Sequence, residues 1–519
     1  MKNILLGAFI LSTAIAAQAQ KLPGTADSSF NSNGFKKVSY GESTSLVSSA
    51  YLDDNGKPVF VGSSMNAQFK WSIGMARLNK NGTLDATFKN NGTSVIDVDP
   101  GGSEGIYDAF LSGSGNLWGV GNISGPNGSD MLLIKADQDG VMDVNFANSG
   151  FYSLEVDPGY ELATHVLEDK NGKVVVLGNA PNGLKSMFLV RVNANGTIDS
   201  SFGGDGIMML DPLGENNTPV ALMERPQGGY YVVATTSGNG STKISVVSVS
   251  GNGNYNIDLG GPGEIQFQYQ NMPTRASAAA YHNGSIFIAG EFDGPNANYD
   301  GFITRLETDG TINTSFNQTG YNLILTTLAN TADEFVKDMV ISDDSSIFVS
   351  TISFKDSNML IISRFQPDGN VSGSFGNNSG RHHVYLPEAG YPDFDITTLL
   401  LDQTSKRLYV MGEPNDGASD FMFAYAVFTG EFAIPDNTGL ITTAKSMEIF
   451  PNPTSGSLYV NMELSGNERM LVVDMQGRIV MNEAATNSIT LNQDLENGVY
   501  FLKLISNNET YTAKVVVNR

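Results

Sequence analysis

Arg77-Leu78-Asn79-Lys80-Asn81-Gly82-Thr83-Leu84-Asp85-Ala86-Thr87-Phe88, followed by Gly92, is one copy of a sentence that this 519-residue chain repeats. Arg191-Val192 leads in the same way to Gly196-Thr197-Ile198-Asp199, Phe202 and Gly206. Marked by its aromatic, the motif falls at Phe30, Phe88, Phe146, Phe202, a degenerate copy with Leu259, then Phe316 and Phe375. The steps are 58, 58, 56, 57, 57 and 59 residues. A fixed period of this size signals stacked or circular units, each burying its apolar faces against its neighbours.

Within a unit, apolar and β-branched runs alternate with Asn-Gly, Asp-Gly or Gly-rich clusters, the punctuation of hairpins. In the second unit the runs are Thr93 to Val98, Ile106 to Leu111, Leu117 to Ile123 and Met131 to Lys135. The third run recurs in every unit, for example Val59-Phe60-Val61-Gly62, Val174-Val175-Val176-Leu177-Gly178 and Leu408-Tyr409-Val410-Met411-Gly412. It is apolar on both faces, as a strand sandwiched between sheets requires. The expectation is an all-β chain whose residues 20–434 form a seven-bladed β-propeller of about 57-residue four-stranded repeats. Residues 34–40 precede the first third-run motif and the last unit lacks an outer strand, so these residues are expected to close the ring. The rival architecture is an open β-solenoid.

These residues resemble the delta-60 repeat proteins, whose unit ends in a Gly-x-Leu-Asp-x-Ser-Phe-Gly type sequence. Gly196 to Gly203 and Gly369 to Gly376 match it well, and the likeness runs over about residues 24–430. The fifth copy, Tyr255-Asn256-Ile257-Asp258-Leu259, departs from it. The resemblance implies an extracellular propeller-like fold and no common activity.

Lys2, the apolar stretch Ile4 to Ala17 and Ala17-Gln18-Ala19 read as a signal peptide over residues 1–19, cleaved after Ala19. No other segment approaches about 20 continuous apolar residues, so no transmembrane segment is expected in the mature chain. With no cysteine there is no disulfide framework. The formal charge is −24. Such a surface argues against nucleic acid and anionic membranes as partners.

After a linker at residues 435–445, containing Asp436-Asn437-Thr438-Gly439, the texture changes. Residues 446–519 read as a small Ig-like β-sandwich of alternating strands and Gly-containing turns. Ile449-Phe450-Pro451-Asn452-Pro453-Thr454-Ser455-Gly456 opens it, and Asp474, Gly477 and Val480 mark a hairpin. Gly498, Tyr500 and Leu502 lie on a later strand, and Lys514 lies in the last. This order is similar to type A sorting domains of the type IX secretion system. The resemblance implies that secretion machinery as a partner, passage through periplasm and outer membrane, and release or attachment at the outer cell surface.

Catalysis needs converging reactive groups, so the four histidines matter first. His165 lies on an inner strand and reads as a hydrogen-bonded core residue; His282 falls in a turn. His382 and His383 are adjacent on a strand, point to opposite faces and cannot easily share one ion. Neither a metal site nor a cofactor is expected. Asn79 to Gly82, Asp137 to Gly140 and Asn193 to Gly196 read as two-residue hairpin turns, not calcium loops, because no bidentate Glu follows. Asp85, Asp143 and Asp199, with Arg77, Lys135 and Arg191 across the hairpin, recur from unit to unit and read as scaffold pairs. Asp130, Asp300 and Asp420 are expected to accept hydrogen bonds from turn amides. Trp118 reads as core; Trp71 is the candidate for ligand stacking.

Three functions stay open. The first is a non-enzymatic exported propeller that binds a glycan or an extracellular protein through unlike loops, such as Gly294 to Tyr299 and Pro387 to Pro392. The second is a polysaccharide lyase or glycosidase at the propeller channel, which needs non-repeated acids converging in one pocket. The third is a structural surface component.

Overall fold

A computed structural model describes residues 23–180, 186–211, 216–238, 240–294, 298–324, 332–354, 358–376, 380–384, 394–414, 421–430, 445–461, 469–473, 479–491, 495, 497–506 and 509–518. Residues 22–431 form one compact unit; residues 432–519 fall in another.

The first unit is a seven-bladed propeller. Each blade is an antiparallel sheet whose strands succeed one another from the axis outward. Blade 1 runs Thr44–Leu52, Pro58–Met65, Trp71–Arg77 and Thr93–Ile96. The innermost strands of blades 2 to 7 are Glu104–Leu111, Leu162–Glu168, Asn216–Glu224, Thr274–His282, Asp333–Ile341 and Phe394–Asp402. Each touches the innermost strand of the next blade, and Phe394–Asp402 returns to Thr44–Leu52, so the ring is closed and the solenoid is excluded. The third-run motif is the second strand of each blade. Its residues are almost wholly buried, as in Pro58–Met65 and Ser285–Asp293, because neighbouring blades cover both faces.

The sequence unit and the blade are out of phase by one strand. Thr93–Ile96 opens the second sequence unit but pairs with Trp71–Arg77, as the outer strand of blade 1. The shift leaves blade 7 to be completed from the other end of the chain. Phe35–Val38 pairs with Met422 to Tyr425, and Thr25–Ala26 pairs with Val427 and Phe428.

The repeated sentence builds the link from third to outer strand. Asn79 N–H donates to Thr83 O and Gly82 N–H to Asn79 O, with Gly82 at φ 82. The turn is therefore a three-residue loop with its glycine in the left-handed position, not the two-residue turn expected from Asn-Gly. Arg77 Nε donates to Asp85 Oδ2 at 2.7 Å, and its guanidinium lies over Phe88 at 4.8 Å. Arg191, Asp199 and Phe202 repeat this at 2.9 and 4.7 Å. Burial alone would raise the Asp199 carboxyl, but hydrogen bonds from Ser201 and Lys173 hold it down to about 2. In the fifth copy Ser248 and Asn256 keep the backbone bond of the Arg and Asp positions, Asn256 N–H to Ser248 O, and Leu259 is buried in place of the aromatic. That blade keeps four strands and the backbone turn while losing the Arg–Asp pair and the aromatic of the clasp.

At the closing seam the cation comes from another strand. Arg407, on the second strand of blade 7, donates to Asp27, and Phe30 packs edge-on against Tyr409.

In the C-terminal unit, Ile449–Phe450, Ser457–Val460 and Ser488–Thr490 form a three-stranded sheet. Lys445–Ser446, Glu509–Val517, Gly498–Ser506, Arg469–Val473 and Ile479–Ala484 form a five-stranded one. Leu458, Ile489, Val472, Leu502 and Val515 from both sheets share one core. Asn452 fixes the Pro-Asn-Pro segment on the last strand, donating to Lys514 O and accepting from Val516 N–H. Tyr500 is buried, whereas the Lys514 side chain is exposed. Ala19, most of the linker, Asp474 and Gly477 lie outside the described residues.

Candidate functional site

Every innermost strand carries a bulge near its middle, and all seven occur at the same place. The pairing with the second strand slips across Ser48, Tyr107, Thr164, Val220, Ser277, Lys337 and Thr397. Five of the seven slips face the glycine that ends the third-run motif, and in blades 4 and 6 the same position is Ala234 and Thr351. A Cβ on Gly62 would stand 2.0 Å from Leu46 O, and one on Gly121 would stand 1.8 Å from Gly105 O. In these blades the bulged backbone comes so close that the absence of a side chain lets the strands meet.

The extra residues converge on the propeller axis. They line a cavity of about 300 Å³ with their successors Ser49, Asp108, His165, Ala221, Ala278, Asp338 and Thr398. The ring is polar and unlike from blade to blade: five short side chains and two long ones, Tyr107 and Lys337.

The two acids of the cavity are engaged. Asp108 accepts from Ala109 N–H and Ser49 Oγ on one oxygen, and from Val166 N–H of the next blade on the other. Asp338 accepts from Met339 N–H, from Leu399 N–H of the next blade at 2.7 Å, and from Thr398 Oγ1. Burial pushes the Asp338 carboxyl up to about 6 and raises Asp108. Burial lowers His165, against the pull of Asp108. His165 Nδ1 lies 3.0 Å from Thr164 Oγ1. It is hydrogen-bonded, as its strand suggested, but it lines the channel and is not core. Lys337 Nζ pairs with Asp395 at 2.8 Å.

A second set of ties runs from the residue after the position facing the slip, Gly62, Ala234 or Gly412, to the neighbouring inner strand. Ser63 Oγ accepts from Ile106 N–H, Thr235 Oγ1 from Ala276 N–H, and Glu413 from Val47 N–H across the seam. Glu104, at the start of the blade 2 inner strand, accepts from Val98 N–H. The second oxygens of Glu104 and Glu413 have no hydrogen-bond partner, and burial pushes both carboxyls up to about 7.

The bulges lie about half-way along the inner strands, and the strands start at the face that carries the connections from second to third strand and from one blade to the next. The loops chosen from sequence, Gly294 to Tyr299 and Pro387 to Pro392, connect strands at this face; residues 295–297 and 385–393 lie outside the described ones. Trp71 starts a third strand here, half-buried, beside Phe69, which is 79 % exposed. It does not line the cavity. Trp118 is buried and donates to Glu168 Oε2.

Other expectations divide. His282 Nε2 lies 2.8 Å from Ser345 Oγ. His382 is buried and its Nε2 lies 2.9 Å from Tyr425 OH. Asp300 accepts from the Asn298 side chain, not from a turn amide, and Asp420 lies outside the described residues. Among the described residues no group of three or more metal-ligating side chains is gathered, and no helix is long and apolar enough to cross a membrane.

A closed ring of seven blades around an axial cavity defines a β-propeller. Residues 54–88, 170–202 and 283–316 match a β-propeller domain family of unknown function, and residues 448–518 match the secretion system C-terminal sorting domain. The chain thus carries propeller repeats and a type IX sorting domain, and is exported to the cell surface or extracellular space. No curated protein matches it. Among solved structures it is similar to a polysaccharide lyase at 10 % identity and TM-score 0.43, over 80 % of this chain and 98 % of that one. An ulvan lyase bound to -[GlcA(1-4)Rha3S]- gives 10 % identity and TM-score 0.40, over 76 % and 96 %. A protein of unknown function from Dyadobacter fermentans gives 11 % identity and TM-score 0.38, over 76 % and 100 %.

Proposed function

We propose that this exported propeller is a non-enzymatic glycan-binding protein whose binding face is the one where the inner strands start, with the axial cavity between the bulges reached from it. One observation carries the reading: the residues projecting to the axis differ from blade to blade, whereas the opposite face repeats one clasp. Copied positions serve the scaffold; unlike positions gathered in a cavity suit recognition. Trp71, on the same face, is proposed as a peripheral contact.

The acids favour binding over catalysis. Asp108 and Asp338 share a cavity with His165 and have raised pKa values, which is the observation in favour of a lyase or glycosidase. Yet both oxygens of each carboxylate already accept hydrogen bonds, mostly from backbone N–H groups of their own and the following blade. A general acid or base must offer a free oxygen to the substrate.

The test is a glycan array probed with the full exported chain and its Tyr107→Ala and Trp71→Ala variants. Selective binding weakened by Tyr107→Ala is expected. Silence across the array would overturn the reading in favour of a protein partner or a structural surface component. Reducing ends or unsaturated products released on incubation with polysaccharides would overturn it in favour of the enzyme.

A further inference from the structure

We propose that the axial cavity takes the terminal sugar of a neutral glycan end-on, so that the protein recognises chain ends and not chain interiors. The inference rests on the glycan reading above and specifies its ligand.

The geometry of a ring sets the mode of entry. A groove that holds a polymer across its length is open at two sides. Here seven inner strands wall the site on all sides, and a chain enters only along the axis. The volume of about 300 Å³ corresponds to roughly ten waters and lies at the lower end for small-molecule sites, which suits one sugar ring and not an extended segment.

The chemistry of the wall suits hydroxyls. Each inner strand is the last in its sheet, and its axial-edge N–H groups at the bulges, among them those of Ile106, Val166, Ala276 and Leu399, are already bonded to side chains, so the side chains supply the wall's contacts. Ser48 and Thr397 add hydroxyls that both donate and accept, and Thr164, Ser277 and Thr398, which donate to Leu177 O, Glu291 and Asp338, add acceptors. Tyr107, 44 % exposed on the wall, offers the aromatic face on which a sugar ring stacks.

Charge argues for a neutral sugar. The one lysine of the wall is paired with Asp395, His165 is lowered toward its neutral form, and the chain carries −24 overall. A uronate or sulfated end would meet no uncompensated cation.

Calorimetry of the full exported chain tests this with oligosaccharides of two, four and eight sugars, and the parent polymer, from neutral mannan, xylan and β-glucan. The expected result is one protein per chain at every length, with affinity independent of length. Tyr107→Ala should weaken binding about tenfold, Tyr107→Phe should retain it, and Trp71→Ala should change it by less than about threefold. Thermal melting of each variant checks that the ring is intact. A stoichiometry that grows with chain length, or unchanged binding by a folded Tyr107→Ala variant, would overturn end recognition and leave glycan binding standing. Absence of binding to every member would overturn both.

Discussion

The two faces of each blade use the same repeat in opposite ways. At the face of the link from third to outer strand, Arg77, Asp85 and Phe88 recur as Arg191, Asp199 and Phe202, with the same contacts at nearly the same distances. At the bulge face the backbone recurs in all seven blades, while the side chain it displays changes from Ser48 to Tyr107 to Lys337. The first face has to stabilise equivalent junctions, so one backbone turn recurs in six copies and the cation–Asp pair across it in three of them, while the seam pairs Asp27 with Arg407. The second surrounds a single axis, and a site there is built once from seven contributions.

The largest effect should come from breaking the clasp where the ring closes. The Asp27 and Arg407 side chains are 0 and 7 % exposed, and removing one leaves a buried charge without its partner. Arg407→Ala should cost about 3–5 kcal/mol in denaturant unfolding. A loss below about 1 kcal/mol would show that the strand pairing of Phe35–Val38 closes the ring unaided.

The next effect depends on pH and belongs to the bulge face. Burial raises Glu104 in the folded state to about 7, above its unfolded value, so the folded chain holds a proton that the unfolded chain releases. Its contribution is fully present below about pH 4.5 and is lost as pH rises to about 7, on the order of 3 kcal/mol. Glu413 and Asp338 add slopes of the same sign. The clasp acids act oppositely. Asp85 and Asp199 are held below their ordinary value, so their stabilisation is present above about pH 4 and is lost in stronger acid. Unfolding curves from pH 3 to 8 should peak near pH 4–5, and Glu104→Gln should flatten the decline above the peak. An unchanged slope in that variant would remove Glu104 as its source.

A smaller loss should follow from adding a methyl group opposite a bulge. Gly121→Ala should cost about 1–3 kcal/mol, because the methyl meets the Gly105 carbonyl at 1.8 Å, whereas Gly113→Ala, with open space around it, should change stability by less than about 0.5 kcal/mol. Equal melting temperatures for the two variants would disprove the link between glycine and bulge.

The smallest stability effect should be at the axis. Tyr107→Ala removes an exposed ring and should leave the unfolding midpoint within about 0.5 kcal/mol while weakening glycan binding. A large loss of stability there would turn Tyr107 into scaffold.

The clasp could be read from the chain because its parts are local. Arg77 and Asp85 lie eight residues apart across one turn, and that spacing repeats. The turn type was misread because Asn-Gly looks the same in a two-residue and a three-residue loop, and only the hydrogen bonds distinguish them. The bulge had a visible signal in Gly62, Gly121, Gly178, Gly290 and Gly412, at the end of five of the seven apolar runs, with Ala234 and Thr351 at that position in the other two. Without the pairing partner that glycine reads as the end of a strand. His165 was placed on the right strand and in the wrong environment, since an inner strand offers both a packed face and an axial edge.

Sequence alone determined the count of blades, their four strands, the place where the two ends of the chain meet and the export label. All of these rest on short-range periodicity and on motifs whose residues are close in the chain. Tertiary structure decided which side chains share the axis, because Ser48, Tyr107, Thr164, Val220, Ser277, Lys337 and Thr397 are about 57 residues apart and are brought together only by closing the ring. It also decided the role of the acids, because Asp108 and Asp338 find their partners on the next blade, where burial and backbone N–H groups make them ties.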